Sequence, residues 1–209
     1  MHMNVSHPIA DKLIARIRAR TGTPVPVVEL LDLGTRSAVD QALSRLVQQK
    51  RIMRVGRGLY AWPRFSTLLK KNVSPSVDAL AHAWARRNGL RIVPFGAFAA
   101  NLLGLSTQVP AHYVYYTNGR TQRVRLGGAE VRFRNRGPKT MEVKGQLTAS
   151  IFQALRYLGK DRVTPDAIAR LRRVIRPQDR ADIKRNLKHA TAWMTPVLKS
   201  VLQEDAGHG

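Results

Sequence analysis

The sequence has no cysteine, few acidic residues and no long apolar run, and each absence excludes a class of protein. Without cysteine there can be no disulfide, no thiolate nucleophile and no zinc site built on cysteine ligands. No apolar stretch reaches the roughly 18 residues needed to span a bilayer. The first residues also lack the charged-then-apolar pattern of a signal peptide. We therefore expect a cytoplasmic protein that has no membrane partner.

Motifs of the common enzyme classes are also missing. The sequence contains no phosphate loop ending in Gly-Lys-Ser/Thr, no Gly-x-Gly-x-x-Gly and no His-Glu-x-x-His. Asp179 and Asp182 are interpreted as a pair on a helix surface, and His82 and His112 as polar residues rather than metal ligands. We expect no enzymatic activity, no catalytic residue, no metal and no cofactor. A nucleic-acid-modifying site assembled from distant residues stays open as an alternative, because it would leave no local motif.

Basic residues dominate the charge of the chain. Lys and Arg number 36 against 13 Asp and Glu, which gives a net charge of +23 at pH 7. When the chain is divided after residues 72 and 145, each of the three parts is positive, so the charge does not come from one detachable arm. An excess of this size favours a polyanionic partner, with nucleic acid as the first candidate and an anionic membrane surface as its competitor.

The N-terminal quarter of the chain predicts three helices. Apolar residues recur at helical spacing over residues 9–20, and a short second helix is expected at residues 27–31. Either Thr35 or Ser37 can cap a third helix that runs to about Gln49. Its apolar stripe leaves a basic and amide-bearing face exposed, which is the composition expected of a helix that contacts DNA.

A hairpin follows at residues 52–62, with Gly56, Arg57 and Gly58 at its tip. Three helices and then a hairpin is the order of a winged helix-turn-helix, so we assign residues 1–72 to such a DNA-binding domain. The predicted DNA-binding residues are Thr35, Arg36, Ser37, Gln41, Arg45, Arg54 and Arg57. The competing interpretations are a solvated helix face beside an ordinary tight turn, and a winged helix used for protein interaction.

The segments RGLYAWP (57–63) and PFGAFAANLLGLS (94–106), followed by Pro110 and Ala111, resemble the AbiEi-type antitoxins and their short relatives. The resemblance covers roughly residues 8–155. It implies a winged-helix repressor of its own operon. It further implies a type IV toxin-antitoxin system, in which the protein counteracts a nucleotidyltransferase toxin without forming a stable complex.

These observations predict a DNA-binding transcriptional repressor whose partner is double-stranded operator DNA, and the resemblance adds the antitoxin role. Two alternatives belong to other classes. One is a stand-alone winged-helix regulator or protein-interaction module without antitoxin activity, and the other is a nucleic-acid-modifying enzyme. Salt-dependent binding to duplex DNA separates the regulator from an interaction module, and turnover of nucleic acid would indicate an enzyme.

Residues 73–209 predict a second, α+β domain. Two helices around a short strand precede a three-stranded antiparallel meander at 113–117, 122–126 and 130–134. One face of the meander is apolar and the other bears arginines, which we interpret as a secondary anion-binding surface. Its members are Arg123, Arg125, Arg132, Arg134 and Arg136. A solvated edge sheet is the alternative.

The chain returns to helical periodicity after the meander. A helix at 147–158, a second opened by Thr164, and a third from Pro177 to about Leu202 with a break near Pro196 are expected. Their outer faces are rich in arginine and lysine, which either extend a DNA footprint or simply solvate the helices. The predicted fold is therefore α+β: an N-terminal winged helix-turn-helix, then a mixed domain with a small antiparallel sheet and a C-terminal helical part.

Overall fold

The computed structural model describes residues 8–68, 70–137 and 141–203. It shows a mixed α+β chain with small sheets and C-terminal helices, which confirms the predicted fold class at that level. The chain divides into two compact units. The first extends to Leu90 and includes Arg125–Ala129, and the second comprises Arg91–Val124 and the chain from Glu130 onward. The domain boundary predicted at residue 72 therefore falls inside the first unit.

The first unit contains the helices and the hairpin expected from the N-terminal periodicity. Its elements are α1 (Pro8–Ala19), β1 (Val25–Pro26), a 3₁₀ helix (Val27–Leu33), α2 (Arg36–Gln48), β2 (Met53–Gly56), β3 (Leu59–Ala61), β4 (Arg64–Ser66), β5 (Lys71–Val73) and α3 (Val77–Arg87). The predicted second helix is thus a 3₁₀ helix. The structure also adds two features that were not predicted, the pairing of β1 with β3 and the β4–β5 hairpin.

The cap of α2, which the sequence left open between two residues, is Thr35. Its hydroxyl accepts a hydrogen bond from the Ala38 N–H at 3.4 Å, and its backbone is extended, as an N-cap requires. Ser37 instead lies within the first turn. Starting the helix at Arg36 places its apolar stripe, Val39, Leu43 and Leu46, in the core of the first unit and leaves the opposite face exposed.

Polar contacts across a long stretch of sequence attach α3 to the first unit. Arg86 donates to the Glu29 carboxylate at 2.9 Å and to the Pro24 carbonyl oxygen at 2.7 Å. Leu80 and Trp84 of the same helix are buried. Local periodicity carries no information on a contact between residues 57 positions apart. The sequence prediction therefore placed the domain boundary after the hairpin region, at residue 72, and left α3 out of the first domain.

We expect His82 of α3 to make the stability of the first unit depend on pH. Burial lowers its pKa, Asp78 opposes that effect, and Arg86 adds to it. Because the pKa is lowered in the folded state, the unfolded chain takes up a proton first as the pH falls below about 6.5. We expect the free energy of unfolding to fall there by up to about 1.4 kcal/mol per pH unit, and to be restored above that range.

Denaturant unfolding of the parent and His82→Gln at a series of pH values measures this effect. The variant should lose the part of the pH dependence that His82 contributes, whereas the exposed control His112→Gln should retain it. If the difference in the free energy of unfolding between the parent and His82→Gln stays constant with pH, protonation of His82 is not linked to folding.

The second unit combines a four-stranded sheet with helices. Its elements are β6 (Ile92–Pro94), α4 (Ala97–Leu102), β7 (Tyr113–Thr117), β8 (Gln122–Leu126), β9 (Ala129–Asn135), α5 (Gln146–Leu158), α6 (Pro165–Val174), α7 (Pro177–Asn186) and α8 (Met194–Leu202). The turn between β8 and β9 groups with the first unit. Tyr115 and Phe133 are fully buried, and Phe98 of α4 packs edge-on against Tyr115. Leu102, the last residue of α4, is 42% exposed.

The predicted meander is wrong in its strand order. The sheet runs β6-β7-β9-β8, and β7 pairs in parallel with β9, with Tyr115 opposite Phe133. A tight two-residue hairpin turn of type I′ needs positive φ at both central residues. Gly127 and Gly128 have φ of 57° and 84° and form such a turn, but Asn118 and Gly119 do not have positive φ. The Asn-Gly pair therefore does not join β7 to β8 as neighbours.

The C-terminal helices follow the prediction except for the place of the break. Thr164 caps α6, because its hydroxyl accepts from the Ala167 N–H at 3.2 Å. The chain from Pro177 leaves the α-helical path after Asn186, and α8 begins at Met194. Pro196 lies in the first turn of α8, where a proline is tolerated because its missing N–H would have no partner within the helix.

Asn186 ties α7 to the chain that precedes α5. Its side chain is buried, accepts from the Lys144 N–H at 3.0 Å, and donates to the carbonyl oxygens of Lys144 at 3.0 Å and Asp182 at 2.7 Å. We expect Asn186→Ala to lower the free energy of unfolding by about 1–3 kcal/mol, because buried backbone groups lose their partners. Gln178→Ala, an exposed position on the same helix, is the control for denaturant unfolding. Equal stability of the two variants would contradict this prediction.

Candidate nucleic-acid interface

The first unit contains a groove between α2 and the β2–β3 hairpin. Its volume is about 610 Å³. The groove is lined from α2 by Arg36, Asp40, Ser44, Val47 and Gln48, from the hairpin by Arg54, Arg57, Gly58 and Tyr60, and further by Val27, Val28 and Arg87. Four arginines and one carboxylate give its walls a net positive charge, so an anionic ligand is favoured.

The seven residues predicted to contact DNA are all exposed, but they do not form one set. Arg36, Arg54 and Arg57 line the groove. Residues at spacings of four share one side of a helix, so Ser37, Gln41 and Arg45 form the row next to the one that lines the groove. Thr35 is at the start of α2, where its hydroxyl is occupied by the cap.

Arg36 has a partner within its own helix. Its Nε lies 2.7 Å from the Asp40 carboxylate one turn later, and both side chains are largely exposed. An exposed pair of this kind contributes only about 0–1 kcal/mol, so a phosphate could take the place of the carboxylate at small cost. Arg36 and Asp40 thus form a weak, exposed ion pair on the wall of the groove.

Arg87, which sequence reasoning missed, supports the tip of the hairpin. Its guanidinium donates to the Arg57 carbonyl oxygen, and the Val27 N–H donates to the carbonyl oxygen of Gly58 at 2.9 Å. Burial lowers the pKa of Arg87, and the nearby charge of Arg57 lowers it further. No local signal could identify this residue, because it reaches the tip from another element, 30 positions along the chain.

Gly58 is required at this tip by its conformation and by its neighbour. Its φ is +65°, and a Cβ would lie 3.3 Å from a methyl carbon of Val27. Most L-residues avoid that φ, so a side chain here would displace the tip. The sequence prediction of a Gly-containing tip is confirmed at this position, and the turn consists of Arg57 and Gly58.

The family model named DUF6088, a family of unknown function, matches residues 9–183. The chain belongs to the DUF6088 family. A comparison with curated proteins gives no match. The family description names no ligand or partner, so the resemblance to AbiEi-type antitoxins stays a prediction.

The arginine-bearing face predicted on the sheet of this DUF6088 protein is present. Val131 and Phe133 are buried on one side of β9, and the predicted arginines lie on the other. Arg123, Arg125, Arg134 and Arg136 are exposed, and Arg132 is partly buried. Arg136 places its guanidinium 4.9 Å from the centre of the Tyr116 ring, and Arg125 donates to the Gly128 carbonyl oxygen at 3.4 Å.

This face also carries a carboxylate, that of Glu130. Arg132 donates to Glu130 at 2.7 Å. That hydrogen bond lowers the pKa of Glu130, and the charges of Arg132, Arg123 and His112 add to the effect. Glu130 thus offsets part of the repulsion between the arginines. It lies two residues from Arg132, so the strand alternation already implied that they share a face.

Residues 8–68, 70–137 and 141–203 contain no group of three or more His, Asp or Glu side chains that could hold a metal ion. Within the same ranges, the helices are too short or too polar to cross a bilayer.

Proposed function

We propose that this DUF6088 protein is a DNA-binding transcriptional repressor whose first unit is a winged helix-turn-helix. In this assignment α1, the 3₁₀ helix and α2 are the helical part, α2 is the recognition helix, and the β2–β3 hairpin is the wing. The observation that carries the proposal is the groove between α2 and the hairpin, which is lined by Arg36, Arg54 and Arg57.

The two walls of the groove suit different parts of duplex DNA. Ser37, Gln41 and Arg45 present donors and acceptors along α2, which is the chemistry that distinguishes base edges in the major groove. Arg54 and Arg57 lie on the hairpin, where a guanidinium pairs with backbone phosphate whatever the sequence. The net charge of +23 adds long-range attraction to a polyanion.

Selection of bound sequences from a randomised duplex library tests the repressor proposal. We expect one sequence to be enriched and to bind about 10³-fold or more tightly than a scrambled duplex at physiological salt. The observed affinity should fall linearly on a logarithmic salt scale. If no sequence is enriched, the proposal fails, and a winged helix used for protein interaction becomes the better explanation.

The antitoxin role is the second part of the proposal, and the resemblance to AbiEi-type antitoxins supports it. In the segment 94–106, which carries much of that resemblance, Phe98, Ala99 and Ala100 are buried in the second unit. Because these residues are buried, the segment supports a fold in common with AbiEi-type antitoxins more directly than a common surface for binding a toxin. Co-expression with the neighbouring gene, with growth and promoter activity measured separately, tests this role. Growth rescue without repression would support it, and no rescue would remove it.

We also propose that the arginine face of β8 and β9 is a secondary anion-binding surface. Replacing Arg123 and Arg134 by glutamine, while keeping the Arg132–Glu130 pair, should leave the melting temperature unchanged or raise it. The same change should reduce the salt slope of nucleic-acid binding by about two, if each arginine contacts one phosphate. Arg173→Gln with Lys184→Gln removes equal charge elsewhere in the second unit and is the control. An unchanged slope would identify the arginine face as merely solvated.

A further inference from the structure

The second unit contains a cavity next to the arginine face, because Arg136 lies over the Tyr116 ring that lines it. Its volume is about 390 Å³, within the range of small-molecule sites. It is lined by Phe95, Gly96, Tyr116, Gln153, Arg156 and Tyr157. Three aromatic rings, one amide and one guanidinium thus surround it, and its lining residues include no carboxylate.

Two parts of the fold bring these residues together. Gln153, Arg156 and Tyr157 lie at positions i, i+3 and i+4 of α5, so they share one side of that helix. Phe95 follows β6, and its ring centre lies 4.3 Å from that of Tyr116 on β7. Gly96 has φ of +60°, and a Cβ there would lie 3.8 Å from the Tyr157 ring. The glycine therefore leaves room beside Tyr157.

Gln153 is the informative residue of this cavity. Only 4% of Gln153 is exposed, and its side chain lines the cavity. A Gln amide carries both hydrogen-bond donors and an acceptor. It can therefore pair with a ligand in the cavity that offers an acceptor and a donor side by side.

The chemistry of the other lining residues narrows the ligand class. Aromatic side chains bind flat heterocycles by stacking, and a Gln amide is suited to the edge of a base. Arg156 is exposed and lines the same cavity, so it can pair with an anionic group while the base is buried. The absence of a lining carboxylate disfavours a cationic ligand.

We propose that this cavity binds a nucleotide. The base stacks on the aromatic side chains, Gln153 hydrogen-bonds to the edge of the base, and Arg156 pairs with the phosphate. The same chemistry could come from a free mononucleotide or from one unpaired nucleotide of a single strand. This site goes beyond the proposed repressor function and is independent of the groove between α2 and the hairpin.

Isothermal titration calorimetry of the full chain tests the proposal with the four ribonucleoside monophosphates, their nucleosides, inorganic phosphate and a short single-stranded oligonucleotide. We expect at least one mononucleotide or the oligonucleotide to bind, and inorganic phosphate alone to bind far more weakly. Gln153→Leu should weaken binding about tenfold or more, because the base loses its hydrogen-bond partner, while the melting temperature stays close to that of the parent. Arg156→Gln should weaken nucleotide binding but not nucleoside binding.

Gln178→Leu, an equal change at an exposed position of α7, is the matched control and should bind like the parent. Binding of mononucleotides identifies a free nucleotide as the source, and binding of the oligonucleotide alone identifies a strand. The proposal is overturned if none of these ligands binds, or if Gln153→Leu binds as tightly as the control. Because duplex binding is measured separately, failure here leaves the repressor proposal intact.

Discussion

Replacing Arg54 and Arg57 together by alanine should lower the affinity for duplex DNA by roughly tenfold or more at physiological salt. Both side chains line the groove from the hairpin side, where we expect phosphate contacts. Each lost phosphate contact reduces the salt slope by about one, so the double variant should lose about two. Fluorescence anisotropy with a labelled duplex, measured across a salt titration, gives both the affinity and the slope.

Variants of α2 should behave differently from this double variant. Arg45→Ala should cost about 1–3 kcal/mol on the selected site and much less on a scrambled duplex, if Arg45 contacts a base. Arg173→Ala with Lys184→Ala removes two positive charges from the second unit and is the control for net charge. If this control loses as much affinity as Arg54→Ala with Arg57→Ala, general charge rather than the groove determines binding.

A fragment that ends at residue 72 should fail to fold cooperatively, whereas one that ends at residue 90 should unfold in a single transition. The shorter fragment lacks α3, and with it Arg86 on Glu29 and Arg87 on the Arg57 carbonyl oxygen. It also exposes the core surface that Leu80 and Trp84 cover. Fragments of this length bury only about 60% of their unfolded surface, so the loss of one helix is expected to be decisive.

Thermal unfolding followed by circular dichroism distinguishes the two fragments. The longer fragment lacks Arg125–Ala129, so its melting temperature should lie below that of the full chain. It should still bind the selected duplex, because every residue that lines the groove is present. If both fragments unfold with equal cooperativity, α3 is not needed for the first unit to fold, and the domain boundary lies at residue 72 as the sequence predicted.

Local patterns in the sequence were sufficient to predict most of the individual elements, but not β1 or the β4–β5 hairpin. The spacing of apolar residues located α1, α2 and the C-terminal helices, and strand alternation separated the arginines of β9 from Val131 and Phe133. Glycines placed the tip at Arg57 and Gly58. These features depend on interactions within a few residues, which periodicity and turn chemistry describe directly. The same patterns identified the exposed face of α2 from Arg36 to Arg45.

Tertiary structure decided how the elements combine. Asn118 and Gly119 have the composition of a hairpin turn, which predicted that β8 would pair with β7. In the structure β9 lies beside β7 instead, because strand pairing depends on the packing of the whole sheet. Arg87 lines the groove between α2 and the hairpin, and Gln153 lines the same cavity as Phe95. In each case the residues are far apart in the sequence, where local propensity has no effect. The sequence by itself determined the elements, the exposed basic faces and the net charge. The domain boundary, the strand order and both binding surfaces arose from long-range packing, which joins residues that have no local relation.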